Sequence, residues 1–379
     1  MDKLWLRGLA WRPVDRADDS IPPPMPCRKD SMRFVVAMSG GVDSSAAAAL
    51  LKEQGHEVIG MTLRVWSYEA DARCGSCCSP EDIDDARAVA QHLGIPFYVA
   101  NVEEIFQQKV VGPFVDSYLS GRTPIPCVAC NRDVKFGFLL SRARALGAKL
   151  ATGHYARIEC DSEGLHLCRA SDEAKDQSYF LFTLGQTELA DTAFPIGDLT
   201  KAQVRAVAER LALPTSRKPE SMEICFVPGG DYAAFVEKVA GPQPSGEIVD
   251  RAGKVLGKHG GVHRFTVGQR RGLGLGGGQP RFVQRIEGES RRIVVGPPSE
   301  AERSCFRVLR PNWICRQPKP DAPVWIKVRH RHSGARGRVR IEANGQAMVQ
   351  LESPLRAVTP GQAAVFYDGA RVLGGGWIC

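Results

Sequence analysis

The sequence predicts an α/β fold, a parallel doubly wound domain followed by a small Gly-rich, mainly-β central domain and a C-terminal β-barrel-like domain. Three observations carry this. From residue 33 short β-rich runs alternate with helical stretches, the signature of a parallel sheet. After about residue 228 the text changes to Gly, Pro and short β-rich pieces with no long amphipathic helix. The charge shifts at the same place, from net −7 over residues 1–250 to net +15 over 251–379.

The elements follow in order. Residues 1–31 mix both charge signs with the run SIPPPMPC, which cannot hold helix or sheet, so a disordered N-terminal extension is expected. The catalytic-type domain, 32–228, opens with the strand RFVVAM, then the helix DSSAAAALLKEQG, the strand EVIGMTL, the helix PEDIDDARAVAQHLG, the strand PFYVAN and the helix VEEIFQQKVVGPFVDSYL. Ser79 is a candidate N-cap with Pro80 at the first helical position, and Thr200 with Gln203 forms a capping box. A helix over RDVKFGFLLSRARALG leads into the strand KLAT. Residues 229–304 form the central domain and 305–379 the barrel, with strands at GEIVD, RFVQRI, RRIVVG, VWIKVRHRH, RGRVRIE and QAAVFYDG.

Composition excludes several classes. With 379 residues, 43% hydrophobic and 24% charged, the chain is globular and long enough for two or three cores. No run of 18 apolar residues suggests a membrane span, and the N-terminus lacks the apolar centre of a signal peptide, so a cytoplasmic protein is expected. In that compartment 12 cysteines stay reduced by default, and close spacing points to metal or catalysis. An acidic front joined to a basic back suits a catalytic domain fused to a nucleic-acid-contacting one.

The chemistry is set by SGGVDSS, residues 39–45, between a strand and an Ala-rich helix. Two glycines let the backbone turn so that its N–H groups and the helix N-terminus face phosphate oxygens. A P-loop would need a lysine after the glycines, and none follows, so the loop suits pyrophosphate release rather than γ-phosphoryl transfer. It resembles the loop of the ATP pyrophosphatases, which adenylate a carbonyl oxygen. By position, Ala37, Met38, Ser39, Gly40, Gly41, Val42, Asp43 and Ser44 would bind ATP, with Asp43 beside its Mg²⁺. Leu63 and Gly153, near other strand ends, would complete that site.

The cysteines narrow the acceptor. SGGVDSS, RTPIPCVACNRDVKF, ATGHYAR, KDQSYFL, ESMEICF, HRFTVGQRRGLGLGG and VTPGQAAVFYDG occur in the order seen in the tRNA 2-thiouridylases, which the chain resembles over about residues 33–378. The resemblance implies an enzyme that adenylates the C2 oxygen of the wobble uridine, U34, in tRNAs for Lys, Glu and Gln. Sulfur from a protein persulfide then replaces that oxygen. Cys225 would carry the persulfide, received from a sulfur-relay protein or a cysteine desulfurase, and Cys130 would be the nucleophile, the two ending as a Cys130–Cys225 disulfide. The substrate contacts would be His154 at the base, Lys175, Asp176 and Gln177 in one loop, and Arg329, His330 and Gln362 in the barrel. A monomer is expected, with no resident metal.

The sequence departs from one version of the family motif, with Ile125 for Asn and Cys127 for the Asp proposed as acid/base. A rival uses Cys127, Cys130 and Cys225 as ligands of an iron–sulfur cluster. Cys74, Cys77 and Cys78 read as loop thiols, and Cys27, Cys160, Cys168, Cys305, Cys315 and Cys379 as structural. A small-molecule adenylating synthetase, or a non-enzymatic RNA-binding protein, would leave either the cysteines or the intact loop unexplained. Arg270 and Arg271 fall on a Gly-rich linker, while Lys327, Arg329, Arg331, Arg336, Arg338 and Arg340 alternate with apolar residues, as on one strand facing phosphates. If six such side chains track phosphate, tRNA affinity should fall about a thousandfold between roughly 50 and 200 mM salt. A flat response in filter binding would remove these residues from the interface.

Overall fold

A five-stranded parallel sheet forms because its strands are apolar on both faces. The computed structural model describes residues 31–66, 79–220, 224–276, 279–356 and 358–379, with the backbone of Arg12–Pro13. The expected N-terminal extension, Cys27 and the Cys74/Cys77/Cys78 cluster therefore lie essentially outside the described residues. In β1 (Arg33–Ala37), Phe34 and Val36 face one core and Val35 the other, as the two-residue period requires. The partners are β2 (Glu57–Arg64), β3 (Phe97–Asn101), β4 (Lys149–Thr152) and the short β5 (Thr192–Ala193), in the order β3-β2-β1-β4-β5. Arg12–Pro13 pairs antiparallel with Tyr98 and Val99 at the β3 edge. The order reverses at β1, so the crevice past the carboxyl ends of β1 and β4 is where this architecture holds a ligand.

Helix α1 (Val42–Glu53) is Ala-rich for a packing reason. Ala46, Ala47, Ala48 and Ala49 are essentially inaccessible, since the helix is enclosed by the sheet, by α2 (Pro80–Leu93) and by α6 (Lys201–Arg210). Both anticipated caps are present: Ser79 and Asp82 form a capping box at α2, as do Thr200 and Gln203 at α6.

Two long helices depart from the simple reading. Helix α3 (103–119) carries a π-helical turn at Gln107–Val111, directly before Gly112 and Pro113, which lets the chain continue past a proline that would otherwise clash with the preceding turn. Helix α4 (126–145) begins six residues earlier than the sequence suggested, at Pro126, and is π-helical from Cys130 to Leu139. The two π-segments pack against each other. A hairpin missed by the sequence reading, β6 (Ala156–Asp161) and β7 (Gly164–Arg169), follows β4, and a short helix α5 (Gln186–Ala190) precedes the last strand of the parallel sheet.

The central region is mainly β, as expected, but starts with a nine-residue helix α7 (Tyr232–Ala240), capped by Asp231 and too short to stand out by periodicity. Its sheet is β9-β8-β11-β10, made from β8 (Gly246–Val249), β9 (Val255–His259), β10 (Phe282–Glu287) and β11 (Arg292–Gly296) around Ile248, Phe265, Val283 and Ile293. The last six strands, β12 (Glu302–Trp313), β13 (Pro323–Lys327), β14 (Ala335–Ile341), β15 (Ala347–Arg356), β16 (Ala363–Asp368) and β17 (Arg371–Ile378), close into a barrel through the pairing of β12 with β17. Gly374 meets Asn312 there, and an added Cβ would lie 2.0 Å from its carbonyl oxygen. Among the described residues no helix is long and apolar enough to cross a membrane.

The barrel and the parallel-sheet domain are bonded to each other. Arg371 of β17 pairs with Cys168 of β7, and the Arg169 guanidinium lies 4.2 Å from the Tyr367 ring centroid. Asn312 Nδ2 donates to the carbonyls of Phe182 (2.7 Å) and Leu184 (3.1 Å). Tyr179 Oη donates to Ala363 O at 2.9 Å in a fully buried setting. Tyr179→Phe should therefore destabilise the protein by about 1–3 kcal/mol, because the Ala363 carbonyl is left buried and unmatched. Urea denaturation checks this, and an unchanged midpoint would show that this bond does not hold the two parts together.

Candidate active site

The loop after β1 is built with no spare room. Gly40 has φ +70°, and a Cβ there would sit 2.2 Å from Asp82 O, so only glycine fits between the loop and the start of α2. Gly41 is the N-cap of α1, which puts Asp43 in its first turn, where a carboxylate is favoured by the helix dipole. Ser44 and Ser45 donate to Gly41 O at 3.1 and 2.9 Å, and Ser39 N donates to Ser44 Oγ at 3.1 Å. These hydroxyls shape the turn, and the exposed Ser39 is left at its mouth. Ala37 and Met38 end the strand beneath it, with Met38 and Val42 buried.

Gly153, after β4, touches the same turn from the other side: an added Cβ would lie 2.6 Å from Ser44 N. Its role in the structure is to let the end of β4 approach the first turn of α1. Leu63 is buried in the core at the end of β2. Asp43 is held by partners from distant parts of the chain. Tyr155 Oη donates to Asp43 Oδ1 at 2.8 Å, and Lys201 Nζ reaches both carboxylate oxygens at 2.8 and 2.9 Å. Lys201 also pairs with Glu220 Oε1 at 3.0 Å, whose other oxygen meets Lys175 Nζ at 2.6 Å. These two lysines, Lys175 first, hold the Glu220 carboxyl below its ordinary range. Tyr155 is pushed up, by burial first and then by Asp43, and stays protonated.

The cysteines stand on one side of the main core. Cys127 is exposed in the first turn of α4. Cys130 begins the π-segment half-buried, and the half-buried Cys225 packs on the same cluster. The link is aromatic: Phe226, next to Cys225, stacks edge-on with Phe106 and Phe114 of α3, which packs on α4. The segment before Cys225 is pinned to α2 by Lys218, which pairs with Asp82 and Asp85. Among the described residues no group of three or more His, Cys, Asp or Glu is arranged to hold a metal ion.

Several expected RNA contacts have other work. His154 is buried between Phe136 and Phe194, with Nδ1 2.8 Å from Thr152 Oγ1 and Nε2 3.4 Å from Lys135 Nζ. Burial, with Lys135 second, depresses its pKa far below the usual histidine value, so the ring is neutral. Asp176 is buried and accepts from Ala170 N, Ser178 N and Ser178 Oγ, while Gln177 accepts from Tyr155 N. His330 lies over Phe180 at 4.4 Å and bonds Asp176 O at 3.0 Å. Gln362 Nε2 donates to Thr123 O at 3.0 Å, so the barrel grips the segment leading to Cys127. Arg329 is exposed.

The six basic residues expected along one strand face are divided over a hairpin, whose two strands fall at the separately expected runs VWIKVRHRH and RGRVRIE. β13 ends at Lys327, and residues 328–334 turn before β14, where Arg336, Arg338 and Arg340 do face outward with Gly337 and Val339 inward. Gly334, with φ +102° and its backbone against the Trp325 ring, marks the turn that the alternating charges hid. Lys327 is half-buried, and burial lowers its pKa. Tyr155, Lys201, Glu220 and Lys135 were missed; a clue was present in Lys201, a cation at the first position of a helix, where the dipole disfavours it unless an anion compensates. Gly153→Ala should reduce AMP formation from ATP about a hundredfold by displacing the loop, while tRNA affinity holds. Retained activity would mean that the loop tolerates the shift.

Three family models match in succession: tRNA methyl transferase HUP domain over residues 32–229, tRNA methyl transferase PRC-barrel domain over 233–297, and aminomethyltransferase β-barrel domain over 303–378. Among curated proteins the chain is 52% identical over 358 residues to the tRNA-specific 2-thiouridylase MnmA of Geobacter metallireducens, covering 92% of this chain and 97% of that one. It is 51% identical to that of Geotalea uraniireducens (91% and 94%) and 52% identical to that of Rhodospirillum centenum (91% and 91%). With near-complete coverage of both partners and the same order of domains, the chain belongs to the tRNA-specific 2-thiouridylase family.

Proposed function

We propose that this protein is the ATP-dependent enzyme that makes 2-thiouridine in tRNA, acting on the wobble uridine. The observation that supports the reading is a phosphate-type loop whose Asp43 is tied through Lys201 to Glu220, five residues ahead of Cys225, together with half-buried Cys130 and Cys225 packed on one core cluster. The domain models bear a methyl transferase name, but a cysteine pair and a pyrophosphate loop fit sulfur transfer after adenylation better than methyl transfer. Residues 32–228 would perform the chemistry, with 229–304 and 305–379 holding RNA.

In this mechanism the C2 oxygen of a flipped uridine attacks the α-phosphorus of ATP and pyrophosphate leaves. Magnesium would arrive on the triphosphate and neutralise its charge; Asp43, a partly exposed carboxylate at the loop, fits as its oxygen ligand. The terminal sulfur of a Cys225 persulfide then attacks C2, and AMP departs with the original oxygen. The Cys130 thiolate attacks the inner sulfur, forming the Cys130–Cys225 disulfide and leaving the bonding electrons on the sulfur now attached to C2. Cys127, at the helix start and at the sequence position of the family aspartate, would act as the acid/base. Among the described residues no group of three or more His, Cys, Asp or Glu is arranged as a ligand set for a cluster on Cys127, Cys130 and Cys225. The protein would act as a cytoplasmic monomer, receiving sulfur from a relay protein or a cysteine desulfurase.

The test combines purified protein, ATP, Mg²⁺, a persulfide donor and unmodified tRNA. AMP and 2-thiouridine should appear together and only with tRNA, and Cys225→Ser should abolish 2-thiouridine. Full thiolation by Cys225→Ser, or AMP formation independent of tRNA, would overturn the assignment.

A further inference from the structure

The loop lacks the lysine that phosphate-binding loops usually carry, yet the fold returns one to it. Lys201 is at the first position of α6, 158 residues beyond Asp43, and its ammonium lies within 2.9 Å of both Asp43 oxygens. Its side chain is only 12% exposed, against 31% for Asp43 and 28% for Glu220. Holding a lysine at a helix N-terminus, out of water, works against both dipole and desolvation. Two carboxylates compensate for it, and the ammonium also lies 5.9 Å from the centroid of the Tyr155 ring, whose hydroxyl donates to Asp43.

Charge decides what this arrangement is for. Asp43, Glu220, Lys175 and Lys201 sum to zero, and the Ser44 and Ser45 hydroxyls are committed to Gly41 O. The turn itself thus meets the phosphates with backbone N–H dipoles, and Asp43, the side that would take the Mg²⁺, brings no positive charge of its own. Lys201 is the cation touching the first turn of α1, on a flexible stem that can move from Asp43 to a phosphate oxygen. Glu220, neutralised on its other oxygen by Lys175, holds that stem from behind.

We propose that Lys201 binds the outer phosphates of ATP, supplying from α6 the charge that a P-loop lysine supplies in sequence, with Glu220 and Tyr155 as its positioning residues. This deepens the function given above and rests on it only in taking the loop to bind ATP. Calorimetric titration of the full-length protein without tRNA tests it. Lys201→Met should weaken ATP binding about tenfold to a hundredfold, as expected for a lost charge-assisted contact, and change AMP binding less than about twofold, since AMP lacks the outer phosphates. Lys201→Arg, which keeps the charge and the pairing to Asp43, should stay within about threefold of wild type for ATP. Equal weakening of ATP and AMP by Lys201→Met would show that the lysine only shapes the loop. Unchanged ATP affinity would remove it from the phosphate site, and either result overturns the proposal. Wild-type protein that binds ATP but does not thiolate tRNA would refute the function while leaving this inference standing.

Discussion

The structure depends on a close approach of backbones around Gly40 and Gly153. On one side the loop touches the first turn of α2 through Gly40, and on the other it touches the end of β4 through Gly153. A single methyl group on either side would meet main-chain atoms, which do not yield as a side-chain tip does. Everything that defines the site is referenced to this contact. It fixes the direction of α1, hence the position of Asp43, and the loop after β4, hence Tyr155 and His154.

From that contact outward, polar links join parts that are far apart in sequence. Asp43, Lys201, Glu220 and Lys175 run from the nucleotide loop to the KDQSYF loop, and the KDQSYF loop is bonded to the barrel through Ser178, Tyr179 and the carbonyl of Asp176. The barrel returns to the active site through Gln362 and the carbonyl of Thr123, four residues ahead of Cys127. Such a closed circuit links the barrel to both the cysteine helix and the loop after β1. Asp176, Gln177 and His330, expected from the sequence to contact RNA, have side chains bonded within this circuit.

The cysteine helix shows how local strain is used. A π-helical stretch is less well bonded than an α-helix and survives where packing rewards the altered side-chain positions. Here it starts at Cys130 and continues to Leu139, and it faces a second π-turn in α3. The wider winding re-aims the side chains after Cys130, bringing Lys135 to His154 at the end of β4. One helix thereby carries Cys127 and Cys130 and reaches the end of β4.

The sequence by itself determined the fold class, the strand and helix order of the first domain, both helix caps, and the loop and cysteines that name the chemistry. These are local matters: periodicity, cap residues and glycine turns act over a few neighbouring positions. Hairpin β6–β7, helix α7 and the turn inside the basic segment were lost because each is short, and a run such as VWIKVRHRHSGARGRVRIE alternates across a turn as readily as along a strand. Tertiary structure alone decided that Lys201 serves the loop, that Asp176 and His154 are buried, and that Gly153 is a packing position. Lys201 and Gly153 meet the loop from 100 or more residues away, and the burial of His154 and Asp176 comes from packing that only the folded chain sets.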